Sequence, residues 1–368
     1  MNLADLHTDV AYGKSNGKII WQPRISCWAR DKWFMGEELP APFTGLDLPD
    51  IYRKLGCSAR LYEYWNKCFQ MAEPQSIRRI TRQLNDIDTE RIIETPVGNI
   101  TAIDRETPNS ERGIRIKPEI VTQDDFKTAI WLTENTTWEW DADIYDKLSE
   151  EIGDLGAPTI FLPRVNIQDL YINKMGVEKA LYAIYDWPEL VEKYFEVLDE
   201  CHFRLIDVIN ASPIDIINFG DNLHCGTLPP NLFEKYILPS YHKRCTKLHE
   251  AGKFVSSHWD GDTKSLLPYA KQTGLDGIEA ITPKPQGDVT LEEIKDALGN
   301  EIFLLDGIPA ILFDREYSVD MIKEYTHKLI EYFAPKLILG ISDELSSTGD
   351  IERIYIVSEI VDNYNNSL

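Results

Sequence analysis

From residue 157 onward, short apolar runs alternate with longer amphipathic stretches. The runs at 158–163, 214–219, 254–257, 277–280, 302–306 and 337–341 are bounded by polar or turn-forming residues and read as strands. Helical patterns lie between and after them, over 167–175, 177–185, 188–210, 230–251, 264–273, 291–298, 319–333 and 351–363. The clearest is 188–210, where Leu190, Tyr194, Val197, Leu198, Cys201 and Leu205 share one face. Strands alternating with helices at this spacing imply a parallel sheet. The chain has no glycine-rich phosphate loop, which favours a closed (β/α)8 TIM barrel over a doubly wound nucleotide fold.

The N-terminal part is less regular. Residues 1–20 are polar and predict an arm or a short helix. The stretch 21–28 reads as a first strand. It carries Trp21, Arg24 and Trp28, which can wall a pocket and pair with an anion, or stack as a structural cation–π group. Helices are predicted over 46–55, 75–86 and 122–134. Between 91 and 121 the pattern becomes that of antiparallel hairpins, with Pro96 and Gly98 at a turn. With no linker, repeat or low-complexity tract, a single domain over 1–368 is expected, its hairpin insertion in the N-terminal part.

Charge narrows the partners. The chain has 61 acidic and 38 basic residues, a net charge of −23, which repels phosphate backbones and anionic membranes. No nucleic-acid or membrane partner is therefore expected. The first residues lack the basic and apolar segments of a signal peptide, and the six cysteines are scattered without a C-x-x-C. These features suit reduced thiols and a cytoplasmic location, and a homodimer is compatible with them.

The chemistry collects at strand ends. Consecutive strands finish in Asp221 and Asn222, in His258 and Asp260, in Glu279, in Asp306, and in Asp343 and Glu344. In a barrel those tips converge on one mouth. A histidine among carboxylates there suggests a metal site or a metal-free acid/base site, and Glu344 reads as a cap for a following helix. Register leaves open whether Ser342 or Asp343 points inward.

Three segments carry a family resemblance. They are Asp215 to Asp221 with the Pro-x-x-Phe-x-x-Tyr-x-x-Pro run ending at Pro239; Ser257-His258-Trp259-Asp260-Gly261; and Gly277-Ile278-Glu279 continuing to Gly287 and Asp288. The stretch from Leu337 to Asp343 completes the pattern. Over about 157–363 the chain resembles the uroporphyrinogen decarboxylase superfamily, which implies a (β/α)8 barrel. In the superfamily's zinc methyltransferases a His-x-Cys pair is followed by a Glu in the methionine synthase type and by a later Cys. Here His258 and Glu279 match. Asp260 replaces the first Cys, and Ser342 or Asp343 replaces the last. Carboxylates give a harder, more Lewis-acidic metal than thiolates do. The Arg-rich N-terminal loop of the tetrapyrrole decarboxylases has no counterpart.

The resemblance implies a methyltransferase of the corrinoid-linked branch. It would move a methyl group from a small methylated donor, an aryl methyl ether or a methylamine-type compound, to a corrinoid on a separate partner protein. Zinc would be held by His258, Asp260, Glu279 and Asp343. Asp221, His258 and Asp343 are the catalytic candidates, and Arg24, Trp28, Asn222, His224 and Trp259 the substrate-binding ones. His224 taken alone reads more readily as an ordinary surface or core histidine. A metal-free lyase or decarboxylase and a catalytically silent ligand-binding barrel are the alternatives.

Overall fold

Isoleucine, phenylalanine and leucine dominate seven short parallel strands, and branched and aromatic side chains of this kind favour a buried sheet. The strands are β1 (Ile20–Trp21), β2 (Thr159–Leu162), β3 (Ile216–Phe219), β4 (Phe254–His258), β5 (Gly277–Glu279), β6 (Phe303–Pro309) and β7 (Leu337–Ser342). Their order in the curled sheet is β1-β7-β6-β5-β4-β3-β2. This computed structural model describes residues 2–368.

Between β1 and β2 the wall is completed by an irregular segment over 57–61. The Ser58 amide donates to the Trp21 carbonyl at 3.0 Å, and the Ala59 amide to that of Leu155 at 2.9 Å. The result is a TIM-barrel-like α/β fold whose eighth position lacks regular strand pairing. The register places His258 of β4 beside Glu279 of β5.

The helix Leu3–Ala11 lies under the barrel. Its Leu6 and Val10 pack with Ile216, Phe254, Phe303 and Ile338, closing the end opposite the strand tips. The helix Pro188–Asn210 presents Tyr194, Val197, Leu198 and Leu205 to the core.

Two N-terminal expectations need correction. β1 ends at Trp21, and Ser26–Phe34 is a helix. Pro23 has no amide hydrogen for the ladder, so the strand stops before it. Residues predicted as a helix over 75–86 instead contain the strand Arg78–Gln83. Both of its faces are largely exposed, so it lacks an alternating apolar signal. Cross-strand pairs Arg78–Glu94 and Arg82–Glu90 accompany its pairing. It joins Asp88–Thr95, Gly98–Thr107 and Ser110–Lys117 in a four-stranded antiparallel sheet, so the insertion starts earlier than 91. Gln123–Glu134 follows, opened by a Thr122–Asp125 capping box.

Among the described residues, no helix is long and apolar enough to cross a membrane.

Candidate active site

The barrel interior below the strand tips holds an ionic layer. Arg60, on the irregular segment, sends its guanidinium inward to pair with Glu279 of β5 and Asp306 of β6. All three are buried. The Tyr62 hydroxyl (2.8 Å) and the Asn218 amide (2.8 Å) also donate to Glu279. Burial alone would raise Glu279, but Arg60 and the His258 hydrogen bond outweigh it and hold the carboxyl below its usual range. Asp306 is pushed up instead, because burial and the Glu279 charge together exceed the help from Arg60. One guanidinium thus keeps one of its two carboxylates firmly ionised.

His258 stands on this layer. Its Nδ1 is 3.2 Å from Glu279 Oε2, and its Nε2 is 3.6 Å from Asp343 Oδ1. Burial would lower the imidazole, but the hydrogen bond and charge of Glu279 raise it above its ordinary value. Asp343 follows β7 in the left-handed region, with φ 70°. Few non-glycine residues adopt that conformation, and such strain clusters at functional sites. Ser342 is buried and donates to the Ile281 carbonyl at 3.1 Å, so Asp343 is the residue that faces His258. Asp260 is half-buried near both. Burial raises its pKa and the Asp343 charge adds to the rise. Ligand atoms of His258, Asp260 and Asp343 all lie within 4.8 Å of one another.

A cavity of about 600 Å³ opens beside this cluster. Arg24 lines it, 3.3 Å from Asp343 and 3.6 Å from Glu344, and lies about 6 Å above the Tyr62 and Phe161 rings. Glu344 does cap a helix, but an earlier one. It accepts from the Ser26 hydroxyl at 2.6 Å and the Cys27 amide at 2.9 Å, at the start of Ser26–Phe34. Arg112, from the last insertion strand, also donates to it at 2.9 Å and lines the same cavity.

The predicted site residues therefore separate. Arg24, Asn222, His258, Asp260 and Asp343 meet at the cavity. Glu279 lies behind His258 and orients it; its carboxylate is outside the three-residue cluster. Asp221 is fully buried and accepts from the Val165 amide (2.9 Å) and the Tyr241 hydroxyl (2.7 Å), away from the lining. Trp28 packs edge-on against Phe43 in the core, because its segment is helical. Trp259, one residue beyond the strand tip, is fully buried against Phe233. His224 folds back on its own loop, its Nδ1 accepting from the Gly226 amide at 2.9 Å. The sequence reading missed Arg60, Arg112 and Arg164. Arg164 lies two residues beyond the end of β2, after Pro163, so the strand-end rule applied to the other strands would have found it.

The donor set fits a divalent metal. One imidazole and two carboxylates match catalytic sites that keep a further position for substrate. Asp260, raised by burial and by the facing Asp343, would gain a counter-charge from a cation there.

Comparisons agree with this architecture. No curated protein matches the chain in sequence. A solved methyltransferase from Methanosarcina mazei is similar in fold, with a TM-score of 0.58 at 10% identity over 97% of each chain. Residues 170–364, more than half of the chain, match the family Uroporphyrinogen decarboxylase (URO-D). That match spans the tips bearing Asn222, His258, Asp260 and Asp343, and the chain belongs to the uroporphyrinogen decarboxylase family.

Proposed function

We propose that the protein is a methyltransferase. It takes a methyl group from a small methylated donor, such as an aryl methyl ether, and passes it to Co(I) of a corrinoid carried by a separate protein. The observation that carries this reading is the His258, Asp260 and Asp343 cluster opening onto the cavity. The family and the barrel likeness to a methyltransferase support it.

A zinc-like ion held by those three residues would polarise the atom from which the methyl group departs. Glu279, at Nδ1, leaves His258 Nε2 directed at the cavity. Arg24 braces Asp343. Phe161 is an apolar part of the cavity lining, against which the transferring methyl group would rest. Asn222 offers its amide to the bound donor.

The test is metal content followed by transfer. Protein purified without added metal should carry about one equivalent of zinc, lost in His258→Ala. It should then methylate reduced corrinoid in the presence of a methyl ether. Protein that neither retains nor binds zinc would sink the mechanism.

The Arg24–Asp343 ion pair favours a second reading, a metal-free lyase. There Arg24 alone would balance Asp343, and His258 would move the proton. Carbon dioxide release from a carboxylate substrate by zinc-free protein would select it.

A further inference from the structure

Arg164 is the cation that the site described so far does not use. It follows Pro163 at the tip of β2 and lines the cavity. Among the described residues, the other arginines are partnered. Arg204 and Arg353 donate to main-chain carbonyls, and the rest, including Arg24, Arg60 and Arg112, face carboxylates. Arg164 reaches only the Asn222 side-chain oxygen, at 3.3 Å. Its Nε is buried without a partner, as are nitrogens of Arg60, Arg244 and Arg353, but among the described residues Arg164 alone of the arginines faces neither a carboxylate nor a main-chain carbonyl. A half-buried guanidinium at a cavity, with one long hydrogen bond and no counter-charge, leaves terminal N–H groups for an acceptor from outside.

The surroundings define that acceptor. Arg24 and Arg112 are already charge-balanced by Asp343 and Glu344, whereas Arg164 faces no carboxylate. Half-buried Phe161 and Pro163 add apolar surface to the lining that includes Arg164. The cavity thus has a cation-seeking end at Asp260 and Asp343, an apolar side, and one open fork of N–H donors. A planar fork of that kind matches a carboxylate.

We infer that the methyl donor carries a carboxylate, held by Arg164, while its methyl-bearing end reaches the His258 cluster. This rests on the methyl-donor reading of the cavity and adds the substrate class. Asn222 is the positioning residue that holds the guanidinium at the mouth.

Binding to the full-length protein by calorimetry tests it, with matched acids and amides as probes. The pairs are 4-methoxybenzoate against 4-methoxybenzamide, and methoxyacetate against methoxyacetamide. At least one acid should bind more tightly than its amide. Arg164→Gln should weaken that acid about ten- to one-hundred-fold and leave the amide unchanged. Arg164→Lys keeps the charge without the fork and should fall between; it replaces the glutamine variant if that protein does not show the wild-type melting transition. Equal binding of acid and amide, no binding of either acid, or an unchanged acid affinity in the variant would each overturn the inference. Transfer from a neutral ether at least as fast as from its matched acid, with both rates unaffected by Arg164→Gln, would sink the inference and keep the methyltransferase. Arg164-dependent acid binding without transfer from any donor would do the reverse.

Discussion

Glu279 Oε2 lies 3.2 Å from His258 Nδ1, and the same carboxylate is gripped by Arg60, Tyr62 and Asn218. The imidazole is therefore set by a group that is itself immobile. Glu279→Gln keeps the shape but weakens this support. Zinc affinity should drop about 10–100-fold, the usual effect of losing an outer partner of a metal-bound histidine. Competition against a coloured chelator reads the change. Glu279→Ala should also cost about 3–5 kcal/mol in urea unfolding, because it strips a buried partner from Arg60.

His258, Asp260 and Asp343 should act as one unit. Removing metal with a chelator should abolish methyl transfer, and zinc should restore it. Asp260→Asn and Asp343→Asn each delete a charged donor and should each reduce the zinc retained through gel filtration. Full retention in both variants would place the metal elsewhere.

Glu344 makes stability acid-sensitive. Burial would raise its pKa, but Arg24, the Ser26 and Cys27 donors and Arg112 outweigh it and hold the group down to about 2, from 4.5. That difference corresponds to about 3 kcal/mol. A depressed pKa stabilises the folded state above the unfolded value of 4.5, and the contribution disappears as pH falls towards 2. Wild-type protein should therefore exceed Glu344→Gln in stability near neutral pH, with the gap closing below about pH 4. A pH-independent gap in urea unfolding would contradict this.

Gly340 of β7 sits against the buried ion pair. A Cβ there would overlap Asp306 Oδ1 and lie 2.9 Å from Arg60 Nη2. Gly340→Ala should displace one partner and cost about 3–5 kcal/mol, the range for breaking a buried pair. Thermal unfolding checks it, with Ser342→Ala as a nearby control.

Much of the barrel is legible in the chain because its helices bury one face. The 188–210 pattern gives Pro188–Asn210 directly. The strand-end rule likewise brings His258, Asp260 and Asp343 together. It fails for Trp259 and Asp221, since a residue beside a tip can turn into the core as readily as into the mouth. Arg60 is invisible for a different reason. Its segment has no strand periodicity, and a lone arginine between Ala59 and Leu61 reads as surface until Glu279 and Asp306 are seen to face it. Arg78–Gln83 is hidden because a strand exposed on both faces needs no apolar alternation.

The insertion reaches the barrel mouth through Arg112, which meets Glu344 across 232 positions of chain. Two separable pieces of polypeptide therefore build the cavity. The barrel tips own the His258, Asp260 and Asp343 cluster, while an appended sheet owns part of the rim. Such a division lets the shape of the entrance drift over generations, through changes in a few hairpin residues, while the His258 cluster stays where the barrel fixes it.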